Sequence, residues 1–136
     1  MALGELVLDE TGAIDEVREL SNDAVGIKNE IKLTLKGTIC GVPETTKWTY
    51  TALARPDGSV YGAGTGVMTT EDGDVINVTG AGACKAAGPS ESTHFKTMIF
   101  AHSASPKFAG LNQIGLAGEY DITADGNATN KCWEWK

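Results

Sequence analysis

The chain has two histidines, and the segment that carries both is where metal or acid–base chemistry would first be expected. Alternate side chains of an extended strand share a face, and one face of this segment carries His94, Lys96, Met98, Phe100 and His102. The two histidines are then about 26 Å apart at strand rise, so they cannot bind one metal ion from an unbroken strand. We predict no metal site.

The histidine-bearing face has two interpretations, and the sequence does not decide between them. It lines the mouth of a cavity, or it forms an outer surface that packs on another subunit. The other face is more uniform and is predicted to be core: Phe95, Thr97, Ile99 and Ala101.

Paired carboxylates that could act as general acid and base are the next candidates. Glu119 could pair with Glu134 or with Asp121. On both strands these acids lie opposite large apolar side chains, which predicts a solvated outer face. A carboxyl that acts as a general acid needs burial and a raised pKa, and this pattern indicates neither.

Nucleophilic side chains form no catalytic pattern either. Cys40, Cys84 and Cys132 are far apart without a C-x-x-C pair, so we predict buried or free thiols in a reducing compartment. The serines lie in predicted loops without a G-x-S-x-G motif. The N-terminus has no basic leader, and no apolar run of about 18 residues occurs. The sequence therefore predicts a cytoplasmic protein with no membrane span, no catalytic residue and no cofactor.

Glycine is the unusual feature of the composition, with 17 residues. It alternates along two predicted strands joined by a turn at Asp72-Gly73, at Gly62, Gly64 and Gly66 and then at Gly80 and Gly82. Counting outward from the turn brings positions 64 and 66 near positions 80 and 82, so one patch of sheet lacks side chains on one face. A nucleotide-binding loop is set aside, because no helical pattern follows and the spacing is not G-x-G-x-x-G.

Two interpretations of this glycine patch stay open. In the first, the glycines let barrel strands coil sharply or receive a large ring from Trp48, Trp133 or Trp135. In the second, they form the floor of a cavity that admits a small ligand or a flat neighbouring subunit.

Turns and alternation predict the elements that position these residues. Turns are predicted at the three Asp-Gly pairs that contain Gly58, Gly73 and Gly126. A fourth turn is predicted at Glu10-Thr11-Gly12. Such turns between runs of Val, Ile, Thr and aromatic residues are typical of β-hairpins. Apolar and polar residues alternate from Ile27 to Ile39, which predicts a strand with one buried face.

Roughly eight strands joined by hairpins are counted in this way. They predict an all-β, antiparallel, mainly meander fold closed into a barrel, which removes the exposed sheet edges; a β-sandwich is the alternative. Residues 14–20 fit a strand or one or two helical turns equally well. The segment from Phe108 to Ile114 is predicted to be a compact turn or a short 3₁₀ piece.

Length and composition predict one globular domain over residues 1–136. Hydrophobic residues make up 41% and charged residues 21% of the chain, which is ordinary for a folded protein. The formal net charge of −7 excludes binding to nucleic acid through a basic surface.

Several segments resemble those of a family of small uncharacterised microbial single-domain proteins. They are the glycine-rich stretch from Arg55 to Gly73, the pair Leu111-Asn112, the stretch from Gly115 to Tyr120, and the C-terminal Trp133-Glu134-Trp135-Lys136. The resemblance covers roughly residues 48–136. Such proteins look similar in architecture to the allene-oxide-cyclase-like barrel, which implies a closed antiparallel form with eight strands. The resemblance implies no substrate, cofactor or catalytic residue.

The first functional hypothesis is a barrel that binds a small apolar ligand in its interior or at its mouth. The predicted ligand-binding residues are Trp48, Tyr50, Tyr61, Phe100, Tyr120 and Trp133, with Lys96 or His102 as a polar anchor. One alternative is an isomerase or cyclase that shapes a hydrophobic small molecule. The other is an assembly module that forms a homo-oligomer around a filled barrel.

Overall fold

The computed structural model describes residues 2–136, which form a closed barrel of eight antiparallel strands. Each strand pairs with the next along the chain, and the last pairs with the first. The strands are β1 (Leu3–Asp23), β2 (Gly26–Ile39), β3 (Val42–Ala54), β4 (Ser59–Thr70), β5 (Val75–Lys85), β6 (Thr93–His102), β7 (Leu116–Ile122) and β8 (Asn127–Trp135). The predicted all-β meander barrel is confirmed, and the sandwich alternative is wrong. No helix in the described range is long and apolar enough to cross a membrane.

Three of the four predicted turns are present. Gly58, Gly73 and Gly126 have φ of +88°, +86° and +86°, a left-handed conformation that glycine adopts without steric cost. The turn predicted at Glu10-Thr11-Gly12 is wrong, because these residues lie inside β1. Gly12 instead allows β2 to approach closely, since a Cβ there would lie only 3.0 Å from Leu35 Cα.

Strand β1 extends beyond the barrel wall. It pairs with β8 only as far as Ala13 but with β2 as far as Asp23, so residues 14–20 are strand rather than helix. Register shifts interrupt the β1–β2 ladder after Ile14 and after Glu19. Such bulges, together with the charged side chains of this segment, protect an exposed strand edge from pairing with other chains.

The core fills the barrel and is closed at one end by a 3₁₀ helix, Pro106–Gln113. Phe108 and Leu111 of this helix are buried in the core. Asn112 anchors the helix, because its side chain accepts a hydrogen bond from Ser103 N (2.9 Å) and donates one to Ser103 O (3.0 Å). Buried Phe95, Ile99 and Ala101 confirm the predicted core face of β6. The opposite end of the barrel, where β3 ends and β6 begins, has no such helix among residues 2–136.

Candidate functional site

A small cavity of about 60 Å³ lies inside the barrel. Its wall is almost entirely apolar and consists of Leu33, Leu35, Trp48, Tyr50, Gly62, Ala63, Gly64, Gly80, Ala81, Gly82, Phe95, Thr97, Ile99, Tyr120 and Asn130. The only side chains in this wall that can form hydrogen bonds are those of Trp48, Tyr50, Thr97, Tyr120 and Asn130.

The glycine patch forms one side of this cavity. Gly62 pairs with Gly82 and Gly64 with Gly80, whereas Gly66 pairs with Val78. The prediction that the two glycine runs lie opposite each other is therefore confirmed. The observed register differs by two residues from the predicted one, which placed positions 64 and 66 near positions 80 and 82. Where two glycines pair, neither strand carries a side chain on the inner face, and the wall of the barrel is thin.

Aromatic rings occupy much of the space that the glycines leave. A Cβ at Gly66 would lie 2.9 Å from Trp48 Cδ2, and one at Gly80 would lie 3.4 Å from Trp48 Cη2, so the indole lies over both glycines. A Cβ at Gly62 would lie 3.4 Å from Phe95 Cε1 and 3.6 Å from Tyr50 Cδ2. The glycines therefore receive large rings and also border the remaining cavity.

Three aromatic rings form a cluster towards the end of the barrel opposite the 3₁₀ helix. The Tyr50 ring is edge-on to Phe95 (centroids 6.4 Å apart) and to Tyr120 (5.7 Å), and Phe95 stacks on Tyr120 at 5.8 Å. The two tyrosine hydroxyls are hydrogen-bonded at 3.1 Å. Burial raises the pKa of Tyr50 to about 12 and also raises that of Tyr120, so both phenols are neutral hydrogen-bonding groups.

A second polar cluster lies in the interior towards the helix-closed end. Glu10 and Glu44 are 1% and 5% exposed, and both pair across the sheet with Gly37 of the strand between them. Because Gly37 has no side chain, the two carboxyl groups meet. Thr46 Oγ1 lies 2.6 Å from Glu10 Oε2 and 2.5 Å from Glu44 Oε2.

This geometry requires a proton on one of the two acids. A threonine hydroxyl carries a single hydrogen, so it can donate to only one of the carboxyl groups and must accept from the other. The pKa of Glu44 is raised to about 8, mainly by burial and then by the hydrogen bond and the charge of Glu10, while the hydrogen bond with Thr46 lowers it in part. Glu44 is therefore the protonated partner at neutral pH. Its Oε1 atom is buried without a hydrogen-bond partner in the described part of the chain.

The carboxyl pair connects to the cavity through one side chain. Asn130 Nδ2 donates a hydrogen bond to Glu10 Oε1 at 3.1 Å, and Asn130 also lines the cavity wall. Cys132 Sγ donates to Asn130 Oδ1 at 3.7 Å. Burial raises the pKa of the Cys132 thiol to about 12, so it stays protonated. Neither Glu10 nor Glu44 forms part of the cavity wall.

The structure brings three of the predicted ligand-binding residues together. Trp48, Tyr50 and Tyr120 all line the cavity. Whether they bind a ligand stays a prediction, but all three side chains line the same cavity.

The other five predicted residues point away from the cavity, which corrects their assignment to its lining. On β6, Phe95 and Ile99 point into the barrel. Lys96, Phe100 and His102 alternate with them, so they lie on the outer face and are exposed. Lys96 forms an ion pair there with Glu119 at 3.0 Å. Tyr61 and Trp133 point outward from β4 and β8, because the residues next to them in sequence, Gly62 and Cys132, face the interior.

The sequence interpretation missed the Glu10–Glu44 pair, although one signal could have revealed it. Trp48 and Tyr50 are two residues apart in the chain and therefore share a face of the strand, and the same alternation continued towards the N-terminus reaches Thr46 and Glu44. The prediction for Glu119 agrees with its exposed ion pair. Within residues 2–136, no three metal-binding side chains come together.

The comparisons with known proteins show the fold alone. No protein-family model matches the chain, and no curated protein is similar to it in sequence. A protein of unknown function from Clostridium acetobutylicum is similar in structure, with a TM-score of 0.87, 17% identity and 100% of both chains covered. A conserved protein of unknown function from Rhodopseudomonas palustris has a TM-score of 0.80, 17% identity and 99% of both chains covered.

A third similar structure is that of an enzyme from Penicillium herquei, with a TM-score of 0.70, 17% identity, and coverage of 98% of this chain and 97% of that one. These likenesses show that the chain shares its fold with these three proteins. The likeness to the allene-oxide-cyclase-like barrel stays a prediction.

Proposed function

We propose that this barrel binds a small, largely apolar molecule, or the apolar end of a larger one, in its interior cavity. The observation that carries the proposal is the pairing of Gly62 with Gly82 and of Gly64 with Gly80. It leaves unfilled apolar space where a barrel of eight strands has just enough room for its own side chains or for one small ligand.

The size of the cavity limits the ligand. A volume of about 60 Å³ equals the liquid volume of two water molecules, at about 30 Å³ each, and is well below the roughly 300 Å³ of the smallest drug-sized pockets. Only a few non-hydrogen atoms therefore fit beyond the aromatic cluster. The ligand enters at the end that the 3₁₀ helix leaves open, past Tyr50, Phe95 and Tyr120.

Binding of xenon tests the cavity directly, because xenon is apolar, monatomic and enters dry apolar cavities. In ¹H–¹⁵N NMR spectra under xenon pressure, we expect saturable shifts at Gly62, Gly80 and Ile99. The variant Gly62→Ala is expected to weaken xenon binding about tenfold, since its added methyl group takes up cavity volume while making only ordinary contacts with Phe95 and Tyr50.

A matched control is Gly110→Ala, because a Cβ at that position meets nothing within 4 Å. It should bind xenon as the unmodified protein does. If the unmodified protein shows no saturable shifts, or if Gly62→Ala binds xenon equally well, the cavity does not bind ligands and the proposal is wrong. If xenon binds as expected, native mass spectrometry of the purified protein identifies the class of any ligand that the barrel retains.

Binding is better supported than the isomerase or cyclase alternative. The cavity wall offers neutral hydroxyl and amide groups but no carboxyl, imidazole or amine. The Glu10–Glu44 pair has a proton to transfer, yet it lies behind Asn130 rather than in the wall.

The free thiols of Cys40, Cys84 and Cys132 support the proposed reducing, cytoplasmic location.

A second candidate function, assembly into a homo-oligomer, is favoured by an outer apolar face. This face consists of Leu3, Leu6, Met98, Phe100, Trp133 and Trp135. Phe100 is 55% and Trp135 50% exposed, and the two rings meet Met98 over Gly115, where a Cβ would lie 3.3 to 3.8 Å from all three side chains. Adjacent exposed apolar side chains are typical of surfaces that pack against another protein.

Sedimentation velocity tests the assembly. The unmodified protein is expected to be an oligomer, and Phe100→Glu a monomer, because a charge would be buried without a partner. Val67→Glu is the control, since Val67 is 50% exposed elsewhere on the barrel, and this variant should remain oligomeric. A monomeric unmodified protein would contradict this second function and leave ligand binding unaffected.

A further inference from the structure

One polar atom in the cavity wall lacks a partner. Thr97 lies on the inward face of β6 between Phe95 and Ile99, and its Oγ1 atom is buried without a hydrogen-bond partner among residues 2–136. Buried hydroxyl groups are almost always hydrogen-bonded, because leaving one without a partner costs its full desolvation energy. Thr97 also lines the cavity, so a turn of its side chain about the Cα–Cβ bond brings this shielded hydroxyl to the cavity, where it is able to bind a polar atom of a ligand.

Asn130 offers further hydrogen-bonding capacity in the same wall. It is 2% exposed; one hydrogen of its amide goes to Glu10, and its oxygen accepts the weak Cys132 thiol donor. An asparagine amide has two hydrogens and two acceptor lone pairs, so one of each remains. Gly118 separates Thr97 from Cys132 in the sheet. A Cβ there would be less than 3.0 Å from Thr97 Oγ1 and 3.0 Å from Cys132 Sγ, so Thr97 and Cys132 are neighbours on the inner face, and Cys132 in turn contacts Asn130.

The charge behind this wall selects against anions. Glu10 accepts hydrogen bonds from Asn130 and Thr46, and the carboxyl pair to which it belongs holds only one proton. A second negative charge in the adjacent apolar cavity would be repelled strongly, because little water is present to screen it.

We propose that the cavity ligand is an uncharged molecule with a hydroxyl or carbonyl oxygen, an inference that rests on the proposed function. This oxygen hydrogen-bonds to Thr97 Oγ1 and to the Asn130 amide. The apolar part of the ligand lies against the glycine patch. Thr97 can donate to a carbonyl oxygen or accept from a hydroxyl, and Asn130 can do either. The site therefore takes small alcohols and ketones in preference to carboxylates.

Four probes of matched size separate these contributions. They are 2-methylpropane, propan-2-ol, acetone and acetate, each with four non-hydrogen atoms around one central or carbonyl carbon. Dissociation constants come from NMR titrations of the backbone amides that line the cavity. We expect saturable binding of 2-methylpropane, propan-2-ol and acetone, and at least tenfold weaker binding of acetate than of acetone.

The variant Thr97→Val supplies the decisive comparison, because it keeps the shape and removes the hydroxyl. We expect it to weaken binding of propan-2-ol and acetone about fivefold, as loss of one hydrogen bond does, and to leave 2-methylpropane unchanged or bound more tightly. The variant should be no less stable than the parent, since the hydroxyl it loses has no partner. Thr65→Val is the control: Thr65 is exposed on the outer face of β4, and all four probes should bind to it as to the parent.

The outcomes separate this inference from the proposed function. Equal weakening of alcohol, ketone and alkane by Thr97→Val, no weakening at all, or acetate binding as tight as acetone binding would overturn the polar site. If xenon and 2-methylpropane bind but the alcohol and ketone do not, only the polar site is overturned. If neither xenon nor any of the four probes binds, the proposed function fails as well.

Discussion

The free energy of unfolding is expected to fall as the pH rises from about 5 to about 8, because Glu44 holds a proton in the folded state. Its pKa is raised from 4.5 to about 8, mainly by burial and then by Glu10. A group whose pKa is higher in the folded than in the unfolded state stabilises the fold fully below the unfolded value, and this contribution is lost as the pH rises through the folded value. Since each pKa unit corresponds to about 1.4 kcal/mol, the loss amounts to a few kcal/mol.

Urea unfolding followed by tryptophan fluorescence at pH 5, 6, 7 and 8 measures this slope. The variant Glu44→Gln should flatten it, because glutamine keeps the shape, stays neutral and can donate to the Glu10 carboxylate. At pH 8 the variant is expected to be more stable than the parent by a few kcal/mol, on the order of the same linkage energy.

Glu119→Gln is the matched control for the pH experiment. Its side chain is half-exposed and pairs with Lys96 on the outer face, where an ion pair contributes about 0–1 kcal/mol. This variant should retain the slope of the parent. A slope that persists in Glu44→Gln would show that Glu44 is not the group that titrates.

The second large effect is expected for Gly64→Ala, which should lower the free energy of unfolding by about 3 kcal/mol or prevent folding. A Cβ at Gly64 would lie less than 3.0 Å from Thr49 O and 2.5 Å from Tyr50 Cα. Both atoms belong to the backbone of β3, so neither can move away without disturbing the ladder between β3 and β4. Urea unfolding at one pH measures the difference.

Gly62→Ala is the control on the same strand, two residues away. Its nearest contacts, 3.4 to 3.7 Å, are with ring atoms of Phe95 and Tyr50, which is ordinary van der Waals distance. We expect its stability to change by less than about 1 kcal/mol. Similar losses in the two variants would contradict the distinction between Gly64, which allows close strand approach, and Gly62, where a methyl group has room.

The strand pattern was predictable because it depends on local chemistry. Alternation over Ile27 to Ile39 and the Asp-Gly pairs at Gly58, Gly73 and Gly126 indicate strands and hairpins without any knowledge of distant residues. The exception, Gly12, shows the limit of this inference. A glycine in a turn and a glycine at a close approach of two strands have the same local sequence signal, and only the partner strand tells them apart.

The candidate site was predictable only in part. The alternation of β3 placed Trp48 and Tyr50 on one face, and the structure places both in the cavity wall. On β6 the more uniform face, with Phe95 and Thr97, was correctly predicted to be core, but the apolar side chains of the other face also made Lys96, Phe100 and His102 candidates for a cavity mouth. The closure of the barrel decides this, because only one face can point towards the axis.

By itself, the sequence determined that this chain is an acidic, glycine-rich, antiparallel meander, because composition, turn residues and side-chain alternation are local properties. Only the tertiary structure decided which face of each strand is inside, that Gly62 pairs with Gly82, and that Glu10 and Glu44 meet across Gly37 although they are far apart in the chain. These features depend on strand register around a closed barrel. Register follows from the packing of all eight strands together, and no single segment contains that information.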